Sequence, residues 1–118
     1  MIKALMVKPN EHPTIALLID DGKFLNCMVG ADTDFNLTAT ALEIESGIIA
    51  LHSDEGILLG MPPNRKIGSK IIAGTFYVVG HHKGNLRSLT DKEITRFTLR
   101  FWEPEIHSED NMLDSWFP

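Results

Sequence analysis

Hydrophobic residues cluster along this chain in short runs broken by turn chemistry. Ile2–Val7 and Thr14–Ile19 are apolar runs separated by Lys8-Pro-Asn-Glu-His-Pro13. Prolines at both ends of that linker oppose helix and sheet pairing alike, so the pattern predicts two strands joined as a hairpin. Asp20-Asp21-Gly22 is helix-start composition. Phe24, Leu25, Met28 and Val29 follow at helical spacing, which predicts a short amphipathic helix stopped by Gly30. Cys27 falls within that helix and is assigned to its apolar face, where a cysteine is ordinarily inert. The segment Ala31–Leu37 is polar and fits no period.

Thr38–Ile44 and Ile48–His52 read as a second hairpin about the turn Glu45-Ser46-Gly47. Ser53-Asp-Glu-Gly56 is a further turn. Gly60-Met-Pro-Pro-Asn-Arg-Lys66 is expected to be a loop, since Pro62 and Pro63 lack ladder donors. Ile71–Ala73 begins another ordered piece, and Gly74-Thr-Phe-Tyr-Val-Val-Gly80 is the strongest strand signal in the chain. His81–Asn85 is expected to turn. Thr90-Asp-Lys-Glu93 has the spacing of a capping box. The helix it opens, Asp91 to about Trp102, places Ile94, Phe97 and Phe101 on one face and ends before Pro104. Hairpins without a regular strand–helix–strand alternation predict an α+β fold: a small mixed or antiparallel sheet with about two helices packed on it.

Composition narrows the class. The 118 residues are 43% hydrophobic and 23% charged, enough for one core without a disulfide or metal staple. Apolar runs reach about five residues, as in Ile15–Ile19, far short of a membrane span. The start lacks the features of a secretory leader, and the single cysteine forms no intrachain disulfide, so a cytoplasmic location is expected. Charge divides the chain. Residues 1–102 hold eleven acids and eleven bases, whereas residues 103–118 hold five acids and no base and account for the net −5. A single domain over 1–102 with an acidic tail over 103–118 is therefore expected. The tail ends in Met112-Leu-Asp-Ser-Trp-Phe117, so it is read either as a solvated terminus or as a segment that docks.

Four groups of residues invite chemistry. Asn64, Arg65 and Lys66 follow two prolines that pre-order their loop. Arginine's fork suits a carboxylate or phosphate, which makes these three the first candidates for ligand binding. The competing reading has Asn64 and Arg65 tied to neighbouring backbone. The loop is not a P-loop, because no Gly-Lys-Ser/Thr follows. Lys92, Arg96 and Arg100 recur every four residues on one helix face, with Lys83 and Arg87 upstream. They form a candidate patch for a partner or nucleic acid, a docking site for the acidic tail, or else a solvated helix face whose cations settle the helix dipole. Asp54-Glu55 and His81-His82 are the acid/base candidates, but neighbouring residues in a turn or strand point apart and no zinc spacing is present. No cofactor or metal site is read from the sequence.

Five stretches taken together resemble a small domain-of-unknown-function family common in phages, plasmids and conjugative elements. They are Leu5-Met-Val-Lys-Pro9, Ser53-Asp-Glu-Gly56, Leu58-Leu-Gly-Met-Pro-Pro-Asn-Arg65, Ile72-Ala-Gly-Thr-Phe-Tyr-Val-Val-Gly80 and Ser88-Leu-Thr-Asp-Lys-Glu93. Members of that family show an N-E-E-G-like turn, a P-x-N-R-like loop, a G-T-x-x-x-x-G strand and S-L-T before the last helix. Here Ser53-Asp54 stands in place of the usual Asn-Glu. The resemblance spans roughly residues 1–101 and implies a mobile-element accessory protein, with no activity, cofactor or catalytic residue to carry over. Residues and resemblance together favour a non-enzymatic binding protein that engages a host protein or a small anionic ligand, with interference in host defence as a natural role. The alternatives are a metal-dependent nucleotide or phosphoester enzyme using Asp54, Glu55 and His81, and a nucleic-acid accessory protein using the basic stripe. No membrane partner is expected, and a homodimer is compatible with the pattern.

Overall fold

The computed structural model describes residues 1–30 and 37–104. The unassigned polar segment before Leu37 and the acidic tail from residue 105 lie outside the described residues. Elements run β1 (Ile2–Val7), β2 (Thr14–Leu18), α1 (Gly22–Val29), β3 (Thr40–Glu45), β4 (Ile48–His52), β5 (Pro63–Ile67), β6 (Lys70–Ala73), β7 (Phe76–His82), β8 (Asn85–Arg87) and α2 (Asp91–Arg100). The fold is α+β. A six-stranded sheet has the order β2-β1-β7-β4-β3, with β8 also paired to β7, and every pairing in it is antiparallel. The β5–β6 hairpin stands apart from it.

Both central strands are buried on both faces. β4 is buried throughout, and β7 is buried from Phe76 to Gly80. Alternation along β7 sends Phe76 and Val78 to one layer with Leu5, Val7, Phe97 and Phe101, under α2. Tyr77 and Val79 face the other layer with Ala4, Leu18 and Val29, under α1. The chain therefore reads as unbroken apolar runs where it is central. β3, at the edge, alternates between half-buried and exposed instead. The capping box of α2 is formed: Thr90 Oγ1 accepts from the Glu93 amide at 3.2 Å, and Glu93 accepts from the Thr90 amide at 2.9 Å.

Three local expectations are corrected. Gly60–Lys66 is not all loop, because β5 begins at Pro63 and pairs with β6. Proline is tolerated there as the first residue of a strand. His81 and His82 belong to β7 rather than to a turn, and the reversal falls on Lys83 and Gly84, both at positive φ, with the short β8 after them. Cys27 is exposed. The inward face of α1 runs through Phe24, Leu25, Met28 and Val29, and Cys27 falls outside that arc.

Candidate functional site

The Pro63–Ile67 strand carries the first-ranked sequence candidates, and its register explains where they go. Pro63 opposes Ala73 and Arg65 opposes Ile72, so Asn64 is an extra residue that bulges the strand. A regular strand would turn Asn64 and Arg65 to opposite faces. The bulge turns both inward, to 0% and 1% exposure. Asn64 Nδ2 donates to the carbonyls of Val7 and Gly74, each at 2.8 Å. Its Oδ1 accepts from Arg65 Nη1 at 2.8 Å. Arg65 donates from Nε and Nη2 to the Phe101 carbonyl at 3.1 and 2.9 Å, and from Nη2 to the Glu11 carbonyl at 2.6 Å. The pair thus joins the end of β1, the β1–β2 linker, the β6–β7 turn and the last turn of α2. A cation on the final carbonyls of α2 also meets the negative end of that helix. This geometry is the alternative weighed for the loop, side chains tied to backbone. Lys66 alone of the three is exposed.

Beside this buried pair lies a cleft of about 340 Å³ lined by Lys8, Pro9, Asn10, Glu11, Met61, Pro62 and Gly74. The proline loop therefore contributes Met61 and Pro62 to a surface cleft, while Asn64 and Arg65 support the neighbouring backbone. Gly74 sits at φ +81°, and a Cβ there would fall 2.3 Å from Met61 Cε. The left-handed backbone and the close approach of Met61 both require glycine at this point.

The second candidate is the outer face of α2. Lys92, Arg96 and Arg100 do share it, with Leu99, 71% exposed, between the two arginines. The open surface there is formed by Asp91, Lys92, Thr95, Arg96, Leu99 and Arg100. Arg96 forks onto Glu45 of β3, with bonds of 2.6 and 2.9 Å, which holds the exposed Glu45 carboxyl below its ordinary range. The Arg96 and Arg100 guanidinia also lie 4.5 and 5.2 Å from the ring centroids of Phe97 and Phe101. Arg87, counted upstream of the stripe, is turned to Glu93, 2.9 and 3.0 Å away. That contact, followed by the backbone amide of Thr90, pulls the Glu93 carboxyl down to about 2. Two of the five basic side chains are therefore held by carboxylates of the chain itself.

The acid/base candidates are not brought together. Asp54 binds Lys70 Nζ at 2.6 Å, which lowers its pKa, and lies 3.8 Å from His52 Nδ1. Glu55 accepts from the Thr38 amide at 3.3 Å. Leu51, three residues before Asp54, opposes Tyr77, whereas Gly80, next to His81, opposes Ile48 at the start of β4. Register thus sets Asp54 and His81 at opposite ends of the β4–β7 ladder. Among the described residues no three His, Cys, Asp or Glu side chains gather as metal ligands, and no helix is long and apolar enough to cross a membrane. His52, which offers no ligand spacing in the sequence, is 1% exposed with no hydrogen-bond partner at Nε2 among the described residues. Burial, helped by Lys70, lowers its pKa. Its place at the end of an apolar strand was the available signal of that burial.

Fold and sites together describe a small α+β protein with an antiparallel sheet between two helices, a surface cleft beside a buried Asn–Arg pair, and a basic helix face carrying one exposed leucine. A family model described as a domain of unknown function (DUF3846) matches residues 2–101, and the chain belongs to that family. No curated protein and no solved structure matches it.

Proposed function

We propose that the chain is a non-enzymatic binding protein of a phage or other mobile element, acting in the bacterial cytoplasm by engaging a host protein. One observation carries this reading: the outer face of α2 presents Leu99 at 71% exposure among Lys92, Arg96 and Arg100. A leucine so placed offers an apolar anchor, and Lys92 and Arg100 beside it favour an acidic surface. The capping box and the Arg87–Glu93 contact hold the helix to the body, so little ordering is needed on binding. Nucleic acid is the weaker partner. Phosphate affinity grows with the number of cations placed on the backbone, and Arg87 and Arg96 are already engaged by Glu93 and Glu45.

A second reading, a small anionic ligand, is favoured by the cleft at Lys8 and Asn10, which falls in the size range of small-molecule sites. Lys8 would supply its cation.

The test is capture from host lysate on the intact chain, compared with Leu99→Asp and Arg100→Glu, followed by native mass spectrometry. A stoichiometric protein lost from both variants and weakened by salt supports the α2 reading. A partner retained by both variants overturns it. Metal-dependent turnover of nucleotides or phosphoesters abolished by Asp54→Ala would replace it with an enzyme.

A further inference from the structure

The two edges of the sheet are built differently. On one edge, β3 carries Glu43 and Glu45 and an irregularity between them. Charges and bulges of this kind keep an edge from pairing with another chain. On the other edge, β2 has neither. Thr14-Ile-Ala-Leu-Leu-Ile19 contains no charge, its pairing with β1 is regular from Ile2↔Leu18 to Met6↔Thr14, and among the described residues it pairs with β1 alone. Ile15, Leu17 and Ile19 are 57%, 49% and 46% exposed.

The directions of the free backbone groups follow from the neighbouring strand. The Lys3 amide donates to Ser88 Oγ at 2.9 Å, and the Lys3 carbonyl accepts from the Leu89 amide at 2.9 Å. Lys3 therefore turns its peptide groups away from β2, and its opposite residue, Leu17, turns its own outward. By alternation Ile15 does the same. We infer that β2 is a homodimerisation edge, on which β2 of a second copy pairs antiparallel across a two-fold axis at Ala16.

Self-pairing fits for three reasons. An antiparallel strand pair related by a two-fold axis is self-complementary, and an uncharged strand meets no like charge when it faces itself. An axis at Ala16 sets Ile15 opposite Leu17 of the second copy and the reverse, so all four outward amides find carbonyls. It also stacks isoleucine on leucine twice on one face. Ala16 then meets its own copy as a non-hydrogen-bonded pair, with Cα atoms about 4.5 Å apart, where a small residue suits the close approach. Other registers fit less well. An axis at Ile15 would need an amide from Pro13, which has none. An axis at Leu17 would need the Ile19 carbonyl, already accepting from the Asp21 amide at 2.8 Å.

The experiment is native mass spectrometry and sedimentation equilibrium on the full chain. The expected result is a dimer at twice 13.2 kDa. Leu17→Lys and Ile15→Lys should abolish the dimer while leaving the circular dichroism unchanged, and Leu58→Lys, at a residue 87% exposed in the β4–β5 connection, should keep it. Ala16→Cys in a Cys27→Ser background should give a disulfide-linked dimer on mild oxidation, since the Cα separation suits that bond. The crosslink also decides the matter if a lysine variant fails to fold. A monomeric wild-type chain at its highest soluble concentration, a dimer that survives Leu17→Lys, or the absence of the crosslink would each overturn the inference.

Discussion

Arg65 and Phe101, thirty-six residues apart, meet through a forked hydrogen bond: Arg65 Nε and Nη2 both donate to the Phe101 carbonyl, at 3.1 and 2.9 Å. Phe101 caps α2, so the strand before the β5–β6 turn fixes where the last helix ends. Its ring packs edge-on against Phe76 of β7 at 5.4 Å, joining the same carbonyl-bearing residue to the sheet. His12 braces the next residue: its ring stacks on Trp102 at 3.9 Å and its Nδ1 lies 2.6 Å from the Trp102 carbonyl. A carbonyl only accepts, so that nitrogen carries the proton.

Arg65→Lys should destabilise the fold nearly as much as Arg65→Ala. An ammonium has no planar fork to reach Phe101, Glu11 and Asn64 at once, and buried carbonyls lose their donors in either variant. The expected loss is about 3 kcal/mol, measured by urea denaturation. A variant within about 0.5 kcal/mol of wild type would show that Arg65 is dispensable to the fold.

Asn64→Asp removes the two donors to Val7 and Gly74 and sets a carboxylate against their carbonyls. It should cost about 2 kcal/mol or more at neutral pH. Arg65 Nη1, 2.8 Å from Oδ1, keeps its acceptor in this variant, so the loss falls on the two carbonyls of Val7 and Gly74. Urea denaturation checks it, and a variant within about 0.5 kcal/mol of wild type would show that the two donors are dispensable.

Glu93 governs part of the acid stability. Its pKa falls from 4.5 to about 2 on folding, through Arg87 first and then the Thr90 amide. A depressed carboxyl contributes stability above its unfolded pKa, and that contribution is lost as the pH drops from about 4.5 towards 2. Glu93→Gln should lower Tm at pH 7 and flatten its dependence on pH across that window. Parallel Tm curves for the two proteins would refute the assignment.

Gly74→Ala should destabilise by about 1–3 kcal/mol, from the positive φ and from the collision with Met61. Met61→Ala in the same chain removes the collision alone. Partial recovery of the Gly74→Ala deficit in the double variant would separate the two causes, and no recovery would place the whole effect in the backbone.

Local spacing was enough to read α2, its capping box and the β1–β2 and β3–β4 hairpins, because cap bonds and tight hairpins join residues close in sequence. It was not enough for β5, where Pro63 at the strand start masks the pairing and the bulge at Asn64 breaks the period of two. β8, three residues long, is too short to show a period. The polar candidates suffered most. Asn64 and Arg65 stand out in the sequence as a polar pair after two prolines, yet a local pattern does not distinguish a side chain offered to a ligand from one offered to Val7, Phe101 and Gly74.

The sequence by itself determined the α+β class, the ends of α1, the start of α2 and its apolar face, and the concentration of negative charge beyond residue 102. Each follows from propensity, period or charge, which act over a few residues. The tertiary structure decided which strands lie at the centre, which edge is guarded by Glu43 and Glu45 and which is bare, and that Asp54 and His81 stand apart. It also decided that Arg65 faces inward. Those outcomes depend on long-range pairing register, where a single bulge redirects a buried cation to carbonyls as many as fifty-four residues away along the chain.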